Sequence, residues 1–153
     1  MVKFILLAVT SLIILNSCSY QKMNPSVQQF AIDEIQVNGN ERTSFLIERK
    51  IKRFSQKGSS NKLAIIINLS KKKDIHEKNI QNKVTKYKLT LRAETNIKNL
   101  KNLDMIKRSY SSNTIYNVES KYTDTLNNEK EANSRLIDLI VNQLLDELKI
   151  NYN

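Results

Sequence analysis

The stretch NEKEANSRLIDLIVNQLLDEL, residues 128–148, constrains the fold most. Ala132, Leu136, Ile140, Leu144 and Leu148 recur at helical spacing and are flanked by Ile137, Val141 and Leu145. The stripe is wider than a coiled-coil seam, so one face of a long helix needs a broad apolar partner. Asn128 with Glu131 three positions on makes a capping-box-like start, and the pattern predicts a helix over about 129–149. Such a helix is expected to pack across a sheet.

The sheet is legible upstream. VTKYKLTLRAET, 84–95, has the clearest alternation in the chain. Tyr87, Leu89, Leu91 and Ala93 fall on one face, and Lys86, Lys88, Thr90, Arg92 and Glu94 on the other. KLAIIINLS, 62–70, is a short β-branched run that reads as a buried strand. The polar KKKDIHEKNIQNK, 71–83, reads as a charged connection, and NIKNLKNLD, 96–104, as a turn. MIKRSYSSNTIYNVES, 105–120, returns as a strand with Ile106, Tyr110 and Tyr116 inward. FAIDEIQV, 30–37, reads as a first strand. Asn40 then serves as N-cap to a helix over about 41–55, with Glu41 at its positive end and Phe45, Leu46, Ile51 and Phe54 at helical intervals. Arg49, Lys50, Lys52 and Arg53 form its solvated face. The expected fold is α+β: a two-layer sandwich with a sheet of about four strands, both helices on one face, in the order β-α-β-β-β-α.

The other end of the chain carries a different signal. Lys3 precedes an apolar run from Phe4 to Leu15, the layout of a secretory signal and too short for a membrane span. Cys18 follows Leu15-Asn16-Ser17 and is the one cysteine in the chain. Alone in an exported protein, it has no internal disulfide partner. The segment is similar to a bacterial lipobox, in which the cysteine is acylated and becomes the new N-terminus. More than one acyl chain, at about 0.8 kcal/mol per buried methylene, makes such an anchor effectively permanent. The expected organisation is a signal over 1–17, a lipidated tether over 18–29 and a single domain over 30–150.

Charge narrows the partners. Without Lys3 the chain holds 24 Lys+Arg against 15 Asp+Glu, a net of +9. Between Lys71 and Arg108 lie 12 basic and 4 acidic residues, so +8 of that excess sits in one window. An anionic partner is expected. Export argues against nucleic acid and for a lipid surface or a phosphorylated glycolipid.

Little in the chain points to catalysis. His76 is the sole histidine and stands among lysines, with no second ligand type at metal spacing. It offers no Ser-His-Asp constellation, and two glycines cannot build a phosphate-cradling loop. No enzyme activity, metal or cofactor is expected.

The order of pieces resembles the LptE family of lipopolysaccharide-assembly lipoproteins. The residues that carry the likeness are Thr85-x-Tyr87-x-Leu89, Ser109-Tyr110-Ser111, Tyr122 and Glu131-Ala132-x-x-Arg135, behind the lipobox at Cys18. The resemblance implies an outer-membrane lipoprotein that plugs an LptD-like β-barrel, helps assemble it and binds lipopolysaccharide on its way to the outer leaflet. Serine at position 19 is compatible with outer-membrane sorting. Lys78, Lys83, Lys86, Lys88 and Arg92 are the candidate lipopolysaccharide contacts. Two other classes stay open: an accessory or pilot lipoprotein of another envelope barrel machine, and a periplasmic module that binds an anionic polymer.

Overall fold

The computed structural model describes residues 30–152. Cys18, the signal and the tether lie outside the described residues. Six elements follow in order: strand β1 (Phe30–Asn38), helix α1 (Glu41–Lys52), strands β2 (Asn61–Lys78), β3 (Val84–Asn99) and β4 (Met105–Asn117), and helix α2 (Tyr122–Tyr152). The expected α+β order is observed.

The strands form one mixed sheet in the spatial order β1-β2-β3-β4. β1 and β2 are parallel and joined through α1, whereas β2-β3 and β3-β4 are antiparallel hairpins. Register aligns Leu63, Ile65 and Ile67 of β2 with Asn99, Ile97 and Thr95 of β3. It then aligns Ile97, Ala93 and Tyr87 of β3 with Ile106, Tyr110 and Tyr116 of β4. Both helices cover that face. The α2 stripe from Ala132 to Leu148 is buried along its length, and Ile47 and Ile51 of α1 join the same core. Burying each such side chain is worth about 1.5–3 kcal/mol, so the helix layer is the main source of stability.

The local chemistry explains where the elements turn. Asn40 caps α1 as expected, its side-chain oxygen accepting from the Thr43 amide. Gly39 before it has φ of +139°, and a Cβ there would lie 2.9 Å from Cβ of Leu69. Only glycine fits where the chain leaves β1 so close to β2. Lys50 departs from the solvated face expected for it, since its ammonium pairs with Asp138 and ties the helices together.

Three boundaries correct the sequence reading. The polar stretch 71–78 is strand, not connection, and only Asn79–Lys83 forms the turn to β3. β1 ends at Asn38, opposite Asn68, so beyond that point β2 is an edge strand paired to β3 alone. Its lysines and its two register shifts between Ile75 and Lys78 are the means by which an edge avoids pairing with another chain. β3 likewise runs on to Asn99. Finally, α2 begins at Tyr122, seven residues before the expected start, and Asn128 is no cap. Its amide donates instead to the Asn117 carbonyl and to Glu119. Among the described residues, no helix is long and apolar enough to cross a membrane.

Candidate functional site

The fold leaves one face of the sheet without a covering layer among the described residues, and it carries the β2-β3 hairpin past the end of β1. Lys86, Lys88 and Arg92 alternate onto this open face of β3, as the sequence predicts. Lys78 and Lys83 sit at the hairpin end. Lys78 is the last residue of β2, not a loop residue, and its ammonium donates to Oδ1 of Asn82 at 3.0 Å. Lys83 closes the turn, where its amide donates to Oδ1 of Asn79. Asn82 sits in this turn at φ of +62°, a conformation asparagine tolerates.

The five candidates are not equivalent electrostatically. Lys86 is held by Glu77 at 2.8 Å. The hydrogen bond from Lys86, followed by that from the Thr85 hydroxyl, holds the Glu77 carboxyl below its ordinary range. By contrast, Lys88 and Arg92 form no ion pair among the described residues. Arg92 faces only serines across the sheet, Ser70 on one side and Ser111 on the other. The face is mixed and not purely cationic, since Asp74 and Glu94 share it and Asp74 pairs with Lys72 at 2.9 Å. Apolar residues punctuate it: Ile66 and Ile115 are exposed, and Ile80 in the hairpin turn is 103% exposed.

A second cluster lies at the base of the hairpin on the helix side. Strand alternation brings Lys73 to the face of Leu89 and Tyr87. Its ammonium lies 4.4 Å from the ring centre of Tyr87 and 5.5 Å from that of Tyr116. It also donates to Glu129 of α2 at 2.6 Å, and the Tyr116 hydroxyl donates to the same carboxylate oxygen at 2.7 Å. Burial alone would raise the Glu129 carboxyl, but the bonds from Lys73 and Tyr116 and the charges of Lys73 and Lys71 hold it below its ordinary value. Burial alone would lower the Lys73 ammonium, yet Glu129 and Tyr116 raise it well above its own. The result is a closed clasp joining β2, β3, β4 and α2. No sequence reading that ended β2 at residue 70 could place Lys73 there, and the run Lys71-Lys72-Lys73 has no alternation of residue type to extend the strand.

Tyr110 contributes differently. It packs against the core with its hydroxyl buried and unpartnered among the described residues. Burial, then the nearby Glu147 charge, pushes that hydroxyl up to about 12. His76 is an exposed residue of β2, and among the described residues no three His, Cys, Asp or Glu side chains are grouped to hold a metal. The arrangement offers charge, an open sheet face and a projecting hairpin. These are features of a binding surface.

The sequence matches no family model and no curated protein. Among solved structures, the chain is similar to a minor lipoprotein from Acinetobacter baumannii, at 12% identity and a TM-score of 0.52, covering 82% of this chain and 95% of that one. It is also similar to the rare lipoprotein B from Shewanella oneidensis, at 11% identity and a TM-score of 0.51, covering 75% and 88%. At such identities the likeness is one of fold.

Proposed function

We propose that this chain is an outer-membrane lipoprotein, anchored through acylated Cys18, that sits as a plug in an LptD-like β-barrel, supports its assembly and binds lipopolysaccharide in transit. The observation that carries the reading is the open sheet face with its projecting hairpin. Among the described residues Lys88 and Arg92 stand there without carboxylate partners, and Ile80 is bare at the turn. A domain that needs both helices to cover one sheet face has the other face available to the inside of a larger protein. Cations on that face suit phosphate groups, because charge-assisted contacts from Lys and Arg are among the stronger surface interactions. The fold it shares with two proteins described as lipoproteins supports the same reading, as does the lipobox-like sequence before Cys18. In this role the chain supplies shape and charge, not catalysis.

Purification of the tagged lipoprotein from its own envelope in mild detergent, with mass spectrometry of what co-elutes, tests the barrel. A large LptD-like barrel in near-equal amount is the expected result. A secretin, another barrel or no barrel overturns the plug. Charge reversal of Lys78, Lys83 and Arg92 together tests the ligand: lipopolysaccharide capture should weaken, and the difference from the unaltered protein should shrink as salt rises. Unchanged capture moves the contact elsewhere.

A further inference from the structure

On the opposite side of the sheet, the helices part where α1 begins and α2 continues toward Tyr122. Between them is a groove of about 340 Å³. Arg42 and Leu46 of α1, Leu126, Lys130 and Asn133 of α2, and Lys71 of β2 line it. Three cations thus reach one concavity from three elements. None of them forms an ion pair among the described residues. Glu129 is the one carboxylate in the lining, and it is already engaged by Lys73 and Tyr116. Lys71 also acts on Glu129 through its charge, so three cations share one carboxylate that Lys73 already engages, and the groove keeps an excess of positive charge. Oδ1 of Asn133 is buried and has no hydrogen-bond partner among the described residues. An acceptor left so costs about 1–3 kcal/mol, which a ligand hydroxyl or amide would recover.

We propose that this groove binds a phosphate ester that carries a hydroxyl or amide donor close to the phosphate, as a phosphorylated sugar does. The phosphate lies among Arg42, Lys71 and Lys130, the donor meets Oδ1 of Asn133 once that amide turns toward the groove, and the carbon skeleton rests on Leu46 and Leu126. The volume is at the low end for small-ligand clefts, which fits one sugar-sized group and not an acyl chain. The inference rests on the lipopolysaccharide reading only for the natural source of such a group. It differs from that reading in place, because Lys88 and Arg92 are on the other face of the sheet.

The test is titration of the full chain in mild detergent with glucose 6-phosphate, followed by amide chemical shifts. Saturable shifts at residues 42–46, 71 and 126–134 are expected. Lys71→Gln with Lys130→Gln should weaken binding about tenfold, as loss of charge-assisted contacts does. Asn133→Leu should weaken glucose 6-phosphate while sparing inorganic phosphate. Lys88→Gln with Arg92→Gln should change affinity less than twofold. No saturable binding, or a larger loss in the Lys88 and Arg92 variant, overturns the site, and equal affinity for inorganic phosphate overturns the role of Asn133. Challenge of the bound sugar with purified lipopolysaccharide separates the sources. Displacement identifies a lipid headgroup, and persistence identifies a free sugar phosphate; either supports the groove. Failure here leaves barrel capture untouched, and failure of barrel capture leaves the groove standing.

Discussion

The two halves of β2 keep one alternation and meet opposite surroundings. In the first half Leu63, Ile65 and Ile67 point under the helices and are buried between β1 and β3. In the second half Lys71, Lys73 and Ile75 continue on the same face, but β1 has ended and the helix cover thins to the groove over Lys71 and the Glu129 contact at Lys73 before Ile75 is left exposed. The strand persists because β3 supplies backbone partners throughout. What changes is the residue type, apolar where a helix lies above and cationic where only water, the clasp or the groove does. Hydrophobicity therefore marks the covered half of a strand and not its length.

The largest predicted effect sets the same truncation in the two halves side by side. Ile65→Ala should cost about 3 kcal/mol in urea unfolding, since it opens a cavity in a fully packed site. Ile75→Ala, at a residue 54% exposed, should cost less than about 1 kcal/mol. Equal losses would mean that the outer half is packed as tightly as the inner one, and the comparison would fail.

At the boundary between the halves, Gly39→Ala should cost about 2–3 kcal/mol. The added Cβ meets Leu69 at 2.9 Å, and the backbone sits at φ of +139°. Measured in a Leu69→Gly background, which removes that Cβ, Gly39→Ala should cost less, but the backbone strain and the 3.2 Å approach to the Leu69 carbonyl oxygen should remain. Full rescue would show that strain plays no part.

The clasp should hold the outer half with about 1 kcal/mol, the size of a partly exposed ion pair joined to a cation-π contact. Glu129→Gln tests it through pH. The Glu129 carboxyl is held below its ordinary value of 4.5, so its contribution is present above that pH and is lost as acid carries the solution through the lower folded value. The Lys73 ammonium is raised above 10.5, so its share is full below that pH and fades as alkali passes the higher folded value. The unaltered protein should therefore lose this stability below about pH 4.5, and Glu129→Gln should flatten that limb. An unchanged acid limb in the variant removes the clasp from the ledger of stabilising contacts.

Legibility in the sequence follows the same division. The α2 stripe from Ala132 to Leu148, the inward residues of β3 and the Asn40 cap were all readable, because each is a local pattern that burial enforces. The start of α2 was not. Tyr122 to Asn127 carries no stripe, and this turn is fixed by polar bonds: the Lys121 carbonyl accepts from the Asp124 and Thr125 amides, and the Thr125 hydroxyl accepts from the Glu119 amide and donates to the Glu119 carbonyl. The groove and the clasp were hidden for a different reason. Each needs Lys71 or Lys73 placed against residues 14 to 62 positions away, from Tyr87 beside Lys73 to Asn133 across from Lys71, which no periodicity reports. Of the five candidate cations, the sequence placed Lys86, Lys88 and Arg92 on the open face, but the carboxylate that occupies Lys86 became visible only with the hairpin.

The smallest effect on stability belongs to the hairpin turn. Ile80 is fully exposed, so Ile80→Ser removes no buried apolar surface and should shift unfolding by less than about 0.5 kcal/mol. The turn itself is fixed by Asn79 and Asn82, whose bonds the substitution leaves alone. If the hairpin reaches into a barrel, the same change should reduce barrel co-purification at unchanged fold, because an apolar side chain that stabilises nothing within its own chain gains its burial only against a partner. Loss of stability with Ile80→Ser would instead mean that the turn packs within the chain, and the outer half of β2 would then share the role of the inner half.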